Sequence, residues 1–340
     1  MANFTSGHLS VWVASIKTNV TLQQLQHEMT QQRPSHAAMQ PGWSSIYDDT
    51  ALLNTISPPP QLSTPQVDPP SGNLYPERLL GRLYFWAADP GMRRALGTAA
   101  TPQQTHRLRA VDFMFSRVDA DTLMVVISTR NWIEQQTVKP ALESLVLAID
   151  NSALVQMDSS PLDLIDSDIF MWLLHRSAAN PQVATGLKLD KIREITSQDV
   201  LSRGANLSHG VDLSRRELLA LITNDSIRFG PAKLVVIYDE TNAYLDFELF
   251  KEGGFSVNAK GSQYAAVMSR AVIGPQAMQD LAFGVVPLLR EAFTFDRTWA
   301  ASDKATFLDS CLQGLRGIDD DAAELDAELT CPHCGELVHT

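Results

Sequence analysis

The sequence lacks the features that mark membrane, secreted and disulfide-rich proteins. It has no run of about eighteen apolar residues, so we expect no membrane span. Its beginning, MANFTSGHLSVWVASIK, has no basic segment followed by a long apolar core, so we expect no secretory signal. Only three cysteines occur among 340 residues, and two of them share one short motif, which excludes a disulfide framework. These absences together predict a cytoplasmic protein.

Several catalytic and cofactor motifs are also missing. Neither of the glycine-rich phosphate loops, GxGxxG and GxxxxGK[ST], is present. The GxSxG and HExxH motifs of hydrolases and zinc proteases are absent as well. This lack of a catalytic signature favours a protein that binds other molecules without transforming them.

Basic residues are outnumbered, and none follows Arg316. The net charge is −12, from 27 basic and 39 acidic residues. Because phosphate binding needs a basic face, the charge disfavours nucleic-acid binding, although a local basic patch remains compatible with it. The acids after Arg316 account for seven of the negative charges and are Asp319, Asp320, Asp321, Glu324, Asp326, Glu328 and Glu336.

The clearest structural pattern is a three-stranded antiparallel meander. Residues 233–238 are β-branched and aromatic, residues 243–250 alternate between apolar and polar, and residues 255–259 continue the apolar face. Lys251-Glu252-Gly253-Gly254 closes the second hairpin, since glycine reaches the backbone angles of tight turns. Such a sheet needs helices to cover its apolar side, so we predict an α+β fold of antiparallel hairpins and meanders packed by helices, with a short CxxC zinc-knuckle-like tail.

Local signals divide the chain into segments. Residues 57–75 are rich in proline and serine, which predicts a linker or long surface loop. We also expect a buried strand over DIFMWLL (168–174), a helix that starts at Pro140 and a last helix that ends at Gly317. The predicted segments are 1–56 (strand and helix), 57–77 (linker or loop), 78–200 (α+β domain), 201–318 (α+β domain with the meander) and 319–340 (acidic linker and CPHC tail).

The opening of the chain resembles immunity proteins of bacterial polymorphic-toxin systems, of the immunity protein 22 type. A short strand that contains Trp12 precedes a helix with a capping box, Thr21 to Gln24, and a leucine-rich first turn. Trp43 and the Tyr47-Asp48-Asp49 sequence match that family's tryptophan and Tyr-Asp element. The match covers at most the first fifty residues. Ala14 stands where the family usually has glycine. The resemblance implies a protein that binds a partner protein.

The C-terminal residues Cys331-Pro332-His333-Cys334 form the most specific chemical motif. Cys331, Cys334 and His339 match the first three ligands of a CCHC zinc knuckle, C-x2-C-x4-H. The fourth ligand could be His333 or Cys311, or another chain could donate a cysteine pair, which would make a homo-oligomer. A metal-free tail is the alternative. A thioredoxin-like dithiol requires the motif at the N-terminus of a helix that follows a strand. Only six residues follow Cys334 and an acidic segment precedes the motif, so we exclude that role.

Acidic residues on the meander offer an enzymatic alternative. Metal-dependent nucleases place an acid and an E-x-K group on such strands, and this chain has Asp239, Asp246, Glu248 and Lys251 there. The spacing is Glu-x-x-Lys, which places Glu248 and Lys251 on opposite faces of a regular strand. A solvated strand face is the simpler interpretation.

The sequence therefore predicts a non-catalytic bacterial interaction protein with a protein partner. A place in a conflict, antiphage-defence or toxin-immunity system is the setting that the resemblance implies. The segment from Phe255 to Met268 is also similar to the nucleic-acid-sensing subunit of the Kiwa antiphage system. A metal-dependent nuclease that uses the meander acids is the alternative.

Overall fold

A computed structural model describes residues 4, 8–71, 75–164, 166–198, 204–207, 211–268 and 270–328. The fold is α+β with a large antiparallel sheet, as predicted. The chain forms two compact units, Met1–Ile165 with Tyr238–Leu288 and Asp166–Ile237 with Leu289–Thr340. This division differs from the predicted segments. The proline-rich stretch belongs to the first unit because its strand Gln66–Asp68 pairs with the strand Arg78–Ala88.

The first unit is built on a sheet whose strands follow the order β12-β13-β1-β6-β5-β4-β2. Strands β14, β3 and β7 pair with β12, β4 and β1 respectively. The strands are β1 His8–Lys17, β2 Gly42–Ser44, β3 Gln66–Asp68, β4 Arg78–Ala88, β5 His106–Arg117, β6 Thr122–Ile127, β7 Leu154–Gln156, β12 Ala243–Leu249, β13 Phe255–Asn258 and β14 Gln263–Tyr264. The helices are α1 Leu22–Gln31, α2 Pro90–Leu96, α3 Pro102–Thr105, α4 Trp132–Leu147 and α7 Arg270–Asp280, which a π-helical turn, Leu281–Val285, follows.

Strand β1 is the centre of this sheet, and its two halves have different partners. Residues 8–11 pair with β13, with Val11 opposite Phe255. Residues 12–17 pair with β6, with Trp12 opposite Ile127. Two parts of the chain that are far apart in sequence therefore share one strand. Helices α1 and α4 bury their apolar faces in the hydrophobic core of this sheet.

The second unit combines β-strands with helices. Its strands are ordered β10-β9-β11, and β8 pairs with β9. The strands are β8 Gln182–Ala184, β9 Leu187–Gln198, β10 Gly204–Leu207 and β11 Arg228–Tyr238, which ends at the unit boundary. The helices are α5 Asp168–Ala179, α6 Arg216–Ile222, α8 Val286–Phe295, which crosses the boundary, a π-helical turn Trp299–Asp303, and α9 Lys304–Glu328.

The predicted meander strands are present as β11, β12 and β13. In β12 the predicted apolar side is buried throughout, and β12 pairs antiparallel with β13, with Phe247 opposite Val257. The hairpin turn needs Gly253. Its φ is +74°, and a Cβ on it would lie 2.1 Å from the carbonyl oxygen of Leu162.

Three predicted elements were wrong. The DIFMWLL segment is helix α5, whose buried residues include Ile169, Phe170 and Leu173 at helical spacing. Helix α4 begins at Trp132, after an Asn131 cap, and contains Pro140 in its interior. Helix α9 continues through Gly317 to Glu328.

One helical stretch, Val272–Phe295, has the length and composition of a membrane span. Half of it is buried inside the protein, as in a helix of a hydrophobic core.

Candidate functional site

The meander acids occupy different environments. Asp239 lies exposed in a 3₁₀ turn, Asp239–Thr241, and Lys251 lies exposed in the hairpin turn. Asp246 is buried in β12, where its carboxylate accepts a hydrogen bond from Asn258 Nδ2 at 2.8 Å. Glu248 is half-buried on the same strand. Among the residues that the structure describes, no group of three or more His, Cys, Asp or Glu side chains could hold a metal ion.

The predicted zinc ligands Cys331, His333, Cys334 and His339 lie outside the described residues. Cys311, the other candidate ligand, is buried in α9. Zinc binding therefore remains a prediction from the sequence motif.

The Tyr-Asp element of the N-terminal resemblance is a tightly held loop at the surface of the first unit. The Asp48 carboxylate is buried and accepts hydrogen bonds from the Ser44 hydroxyl and from the Ser63 amide, the latter at 3.0 Å. These bonds fix the loop after β2 and tie the proline-rich stretch to it. The neighbouring Tyr47 side chain points outward and is 63% exposed. The structure thus presents an aromatic ring on an anchored backbone.

A fully buried ion pair on β4 and β5 contacts the backbone of this loop. Arg82 on β4 contacts Asp112 on β5 through Nε to Oδ1 at 2.6 Å and Nη2 to Oδ2 at 3.0 Å. Its Nη1 donates to the Asp48 carbonyl at 2.8 Å, and Asp112 also accepts from the Phe4 amide at 3.0 Å. Burial alone would lower the pKa of Arg82, but the hydrogen bond to Asp112 and its charge outweigh burial and raise it. The guanidinium therefore stays charged and holds the loop.

A recess of about 220 Å³ opens beside Tyr47, and we call it the Tyr47 recess. Helix α7 contributes Val272, which is 49% exposed, and Pro275 to the lining of this recess. Strand β3 contributes the half-buried Asp68. Partial burial, and next the charge of Asp68, raise the pKa of the Tyr47 hydroxyl above its ordinary value. The lining residues are Phe4, Ile46, Tyr47, Asp68, Leu80, Asp112, Val272, Pro275, Met278 and Gln279.

This arrangement suits recognition. It combines apolar walls, one exposed aromatic ring and a carboxylate, which is the composition of an anchor pocket in a protein interface. Sequence reasoning reached Tyr47 and Asp48 through the resemblance but missed Arg82 and Asp112. Their signal was present, since a charged residue inside each of two apolar strands indicates a buried pair.

Comparisons with known proteins identify no family for this chain. It matches no known protein family and no curated protein. Among solved structures, it has a TM-score of 0.18 and 7% identity to the di-domain ARO/CYC StfQ from the steffimycin biosynthetic pathway, over 92% of this chain and 99% of that one. That similarity is too small to indicate a shared fold. The geometry of the described residues therefore carries the functional argument.

Proposed function

We propose that this protein is a non-catalytic, cytoplasmic binding protein that holds a protein partner at the Tyr47 recess. The observation that carries the proposal is the exposed Tyr47 ring beside an apolar recess, on a loop whose backbone the buried Asp48, Arg82 and Asp112 hold in place. An aromatic side chain has few rotatable bonds, and an anchored loop loses little backbone entropy when a partner covers it, so both favour affinity.

Charge selects the kind of partner. The chain carries a net charge of −12, and Asp49 lies exposed on this surface near the half-buried Asp68, whose carboxylate lies 3.8 Å from the Arg78 guanidinium. A basic protein fits best. The aliphatic stem of one of its Arg or Lys residues would pack in the recess, and its charged head would meet Asp68 and the Tyr47 ring. Complementary charge would also speed association at low salt.

The resemblance to bacterial immunity proteins supports a toxin-immunity or related defence role. The resemblance was drawn on Trp12, Thr21, Trp43 and Tyr47, and their positions in the fold are as follows. Trp12 lies in β1, and Thr21 caps α1 with the expected capping box. Trp43 is buried against Phe113, with ring centroids 4.9 Å apart. Tyr47 is thus the exposed aromatic side chain of the matching set.

The test is site-specific photocrosslinking followed by measured affinity. A photoreactive amino acid at position 47 of the full chain, expressed in the native host, should crosslink one basic protein. With that protein purified, calorimetry should show Tyr47→Ala weakening binding by about tenfold or more, as expected for an anchor residue. Asp68→Asn should weaken binding less, with an effect that shrinks as salt increases.

Trp132 provides the matched control, since it is 64% exposed in the same unit and does not line the recess. Trp132→Ala should leave the affinity unchanged. Equal affinities of wild-type protein and Tyr47→Ala for the crosslinked partner would refute the proposal. Failure of position 47 to crosslink any protein in the native host would also refute it.

We further propose that Cys331, Cys334 and His339 bind Zn²⁺, with the fourth ligand from His333, Cys311 or a second chain. The motif spacing supports this, because two cysteines two residues apart present both sulfurs to one metal ion. A shared site would make the protein a homo-oligomer.

A further inference from the structure

The second unit contains a larger cavity that the proposed function does not use. It has a volume of about 510 Å³ and lies among residues of α5, α6 and α9. Small-molecule sites generally have volumes of about 300–1,000 Å³ and mostly apolar walls. The apolar part of this lining includes Ala178, Ala179, Leu213, Leu219, Phe307 and Cys311. Such walls suit a ligand with an apolar body.

Asp303 gives this cavity a negative charge. It is the last residue of the π-helical turn before α9 and is half-buried. Among the described residues that line the cavity, it is the one with a charged side chain. Its carboxylate accepts a hydrogen bond from the Ser302 hydroxyl at 3.0 Å and forms no ion pair with any residue that the structure describes. The adjacent Lys304 pairs instead with Asp168, at 2.8 Å. This carboxylate is therefore available to a cation.

The α5 side of the cavity also favours a cation. The last two residues of α5 line the cavity, and the C-terminal end of a helix carries a partial negative charge. Burial lowers the pKa of His175, which also lies on this helix, so its imidazole is mainly neutral at pH 7 and does not offset the charge of Asp303. Arg176, the basic residue of the same turn, does not line the cavity and lies 4.0 Å from the Asp296 carboxylate. The carboxylate and the helix end thus act in the same direction.

We propose that this cavity binds a small organic cation, an ammonium group on an apolar body, with the charged group at Asp303 and the end of α5. An ammonium group suits this end of the cavity because its N–H groups donate to carboxylate and carbonyl oxygens. The apolar body of the ligand packs against Leu219, Phe307 and Cys311. The site lies within the second unit, and its occupancy does not depend on the partner of the Tyr47 recess.

Three probes with the same ring system test the proposal by calorimetry on the full chain at pH 7. 2-Naphthylmethylamine, which is protonated at this pH, should bind with saturation at one site per chain. 2-Naphthylmethanol has a neutral hydroxyl in place of the ammonium group and should bind about three- to tenfold more weakly, the effect of one charged pair at a partly exposed site. 2-Naphthoate should bind more weakly still, because Asp303 repels it. Asp303→Asn should give the amine and the alcohol equal affinities, because the apolar walls remain.

Matched control variants locate the site. Asp309 is an exposed aspartate on α9 that does not line the cavity, and Asp309→Asn should keep the preference for the amine. Ala178 lies exposed on α5 at the cavity, so Ala178→Trp should fill it and weaken binding of the amine by about tenfold or more. Ala305 is an exposed alanine on α9 outside the lining, and Ala305→Trp should bind the amine as wild type does.

The proposal fails if wild-type protein does not bind the amine with saturation, or binds the amine and the alcohol equally. It also fails if Asp303→Asn keeps the preference for the amine. Equally tight binding of the amine by wild type and by Ala178→Trp, shown folded by circular dichroism, would place the ligand elsewhere and overturn the proposal.

Discussion

Asp280 shows how a single residue organises its surroundings in the first unit. Its carboxylate is fully buried and accepts hydrogen bonds from the Tyr75 hydroxyl, from Tyr264 at 2.6 Å and from Thr241 at 3.1 Å. Gln276 Nε2 donates to it at 3.3 Å. Hydrogen bonds to a charged acceptor are stronger than those between neutral groups, so this carboxylate joins four segments of the chain. They are the end of the proline-rich stretch, the turn after β11, strand β14 and α7.

These contacts make the free energy of unfolding fall as the pH rises into the alkaline range. Burial, and then the charge of and hydrogen bond to Asp280, raise the pKa of Tyr264, and burial and the hydrogen bond to Asp280 raise that of Tyr75. Each tyrosine ionises more readily in the unfolded chain, where the pKa of a tyrosine is about 10. Their stabilisation is therefore complete below pH 10 and is lost as the pH rises toward the folded-state values.

We predict that the double variant Tyr75→Phe/Tyr264→Phe depends less on pH than wild type above pH 10. The free energy of unfolding, from urea titrations between pH 8 and 11, should fall above pH 10 by up to about 1.4 kcal/mol per pH unit for each tyrosine in wild type. Phe283→Leu, which alters packing against Tyr75, should lower stability equally at every pH. Identical pH slopes in wild type and the double variant would contradict this account.

At the scale of elements, the long β4–β5 pair depends on the ion pair of Arg82 and Asp112. The two residues are directly opposite each other in the register, and both are fully buried. Replacement of one partner leaves the other charge buried and unpaired, which is much more costly than loss of an exposed pair. The pair therefore fixes the alignment of the two strands as well as the Tyr47 loop.

We predict that Arg82→Met lowers the free energy of unfolding by about 3–5 kcal/mol. Lys17→Ala, which removes the exposed pair with Asp121 in the same unit, should cost at most about 1 kcal/mol. Urea unfolding followed by tryptophan fluorescence gives both values. A loss below about 1 kcal/mol for Arg82→Met would show that Asp112 finds another compensating partner.

Elements with strong local signals could be predicted from the sequence. The capping box of Thr21 and Gln24 forms as expected at the start of α1. In β12, alternation of apolar and polar residues predicted which side is buried. Asp246 is the exception on the polar side, because its carboxylate accepts a hydrogen bond from Asn258 Nδ2 at 2.8 Å that compensates its burial.

The missed elements lacked a decisive local signal. A short apolar run such as DIFMWLL fits a buried strand or a buried helix equally well, and packing in the second unit decides for α5. Pro140 and Gly317 disfavour helix interiors by about 3 and 1 kcal/mol respectively. Burial of Val138 and Leu142 around Pro140 offsets its cost in α4.

Two hairpins of the first unit share an aspartate–serine hydrogen bond that we did not predict from the sequence. The Asp112 amide donates to the Ser128 hydroxyl at 2.8 Å, and the Asp246 amide donates to the Ser262 hydroxyl at 3.1 Å. Each pair is separated by 16 residues. In both strands the aspartate directly precedes a phenylalanine, and this shared Asp-Phe sequence was the feature from which the similarity could have been noticed. The same bond thus joins a strand to the segment after its hairpin twice in one sheet.

At the scale of the whole molecule, the division into units depends on contacts between distant residues. Ser10 and Ser256 lie 246 positions apart, yet their hydroxyl oxygens are 2.9 Å apart across β1 and β13. Proline-rich composition and turn signals are local, so they could not reveal that the first unit consists of two chain segments. The candidate site was missed in part for the same reason, since α7 brings Val272 and Pro275 to a loop that begins at Ser45.

The zinc proposal concerns assembly of the whole molecule and leads to our last prediction. Elemental analysis of purified full-length protein should find about one zinc per chain, or one per two chains if two copies share the site. Cys331→Ser/Cys334→Ser should abolish zinc binding, because serine does not supply the thiolates that hold the ion. Cys311→Ser should retain zinc if His333 or a second chain completes the site, and should lose it if Cys311 is the fourth ligand. Light scattering then separates the first two cases, since only the shared site makes a zinc-dependent dimer. Absence of zinc from wild-type protein that folds normally would end the proposal.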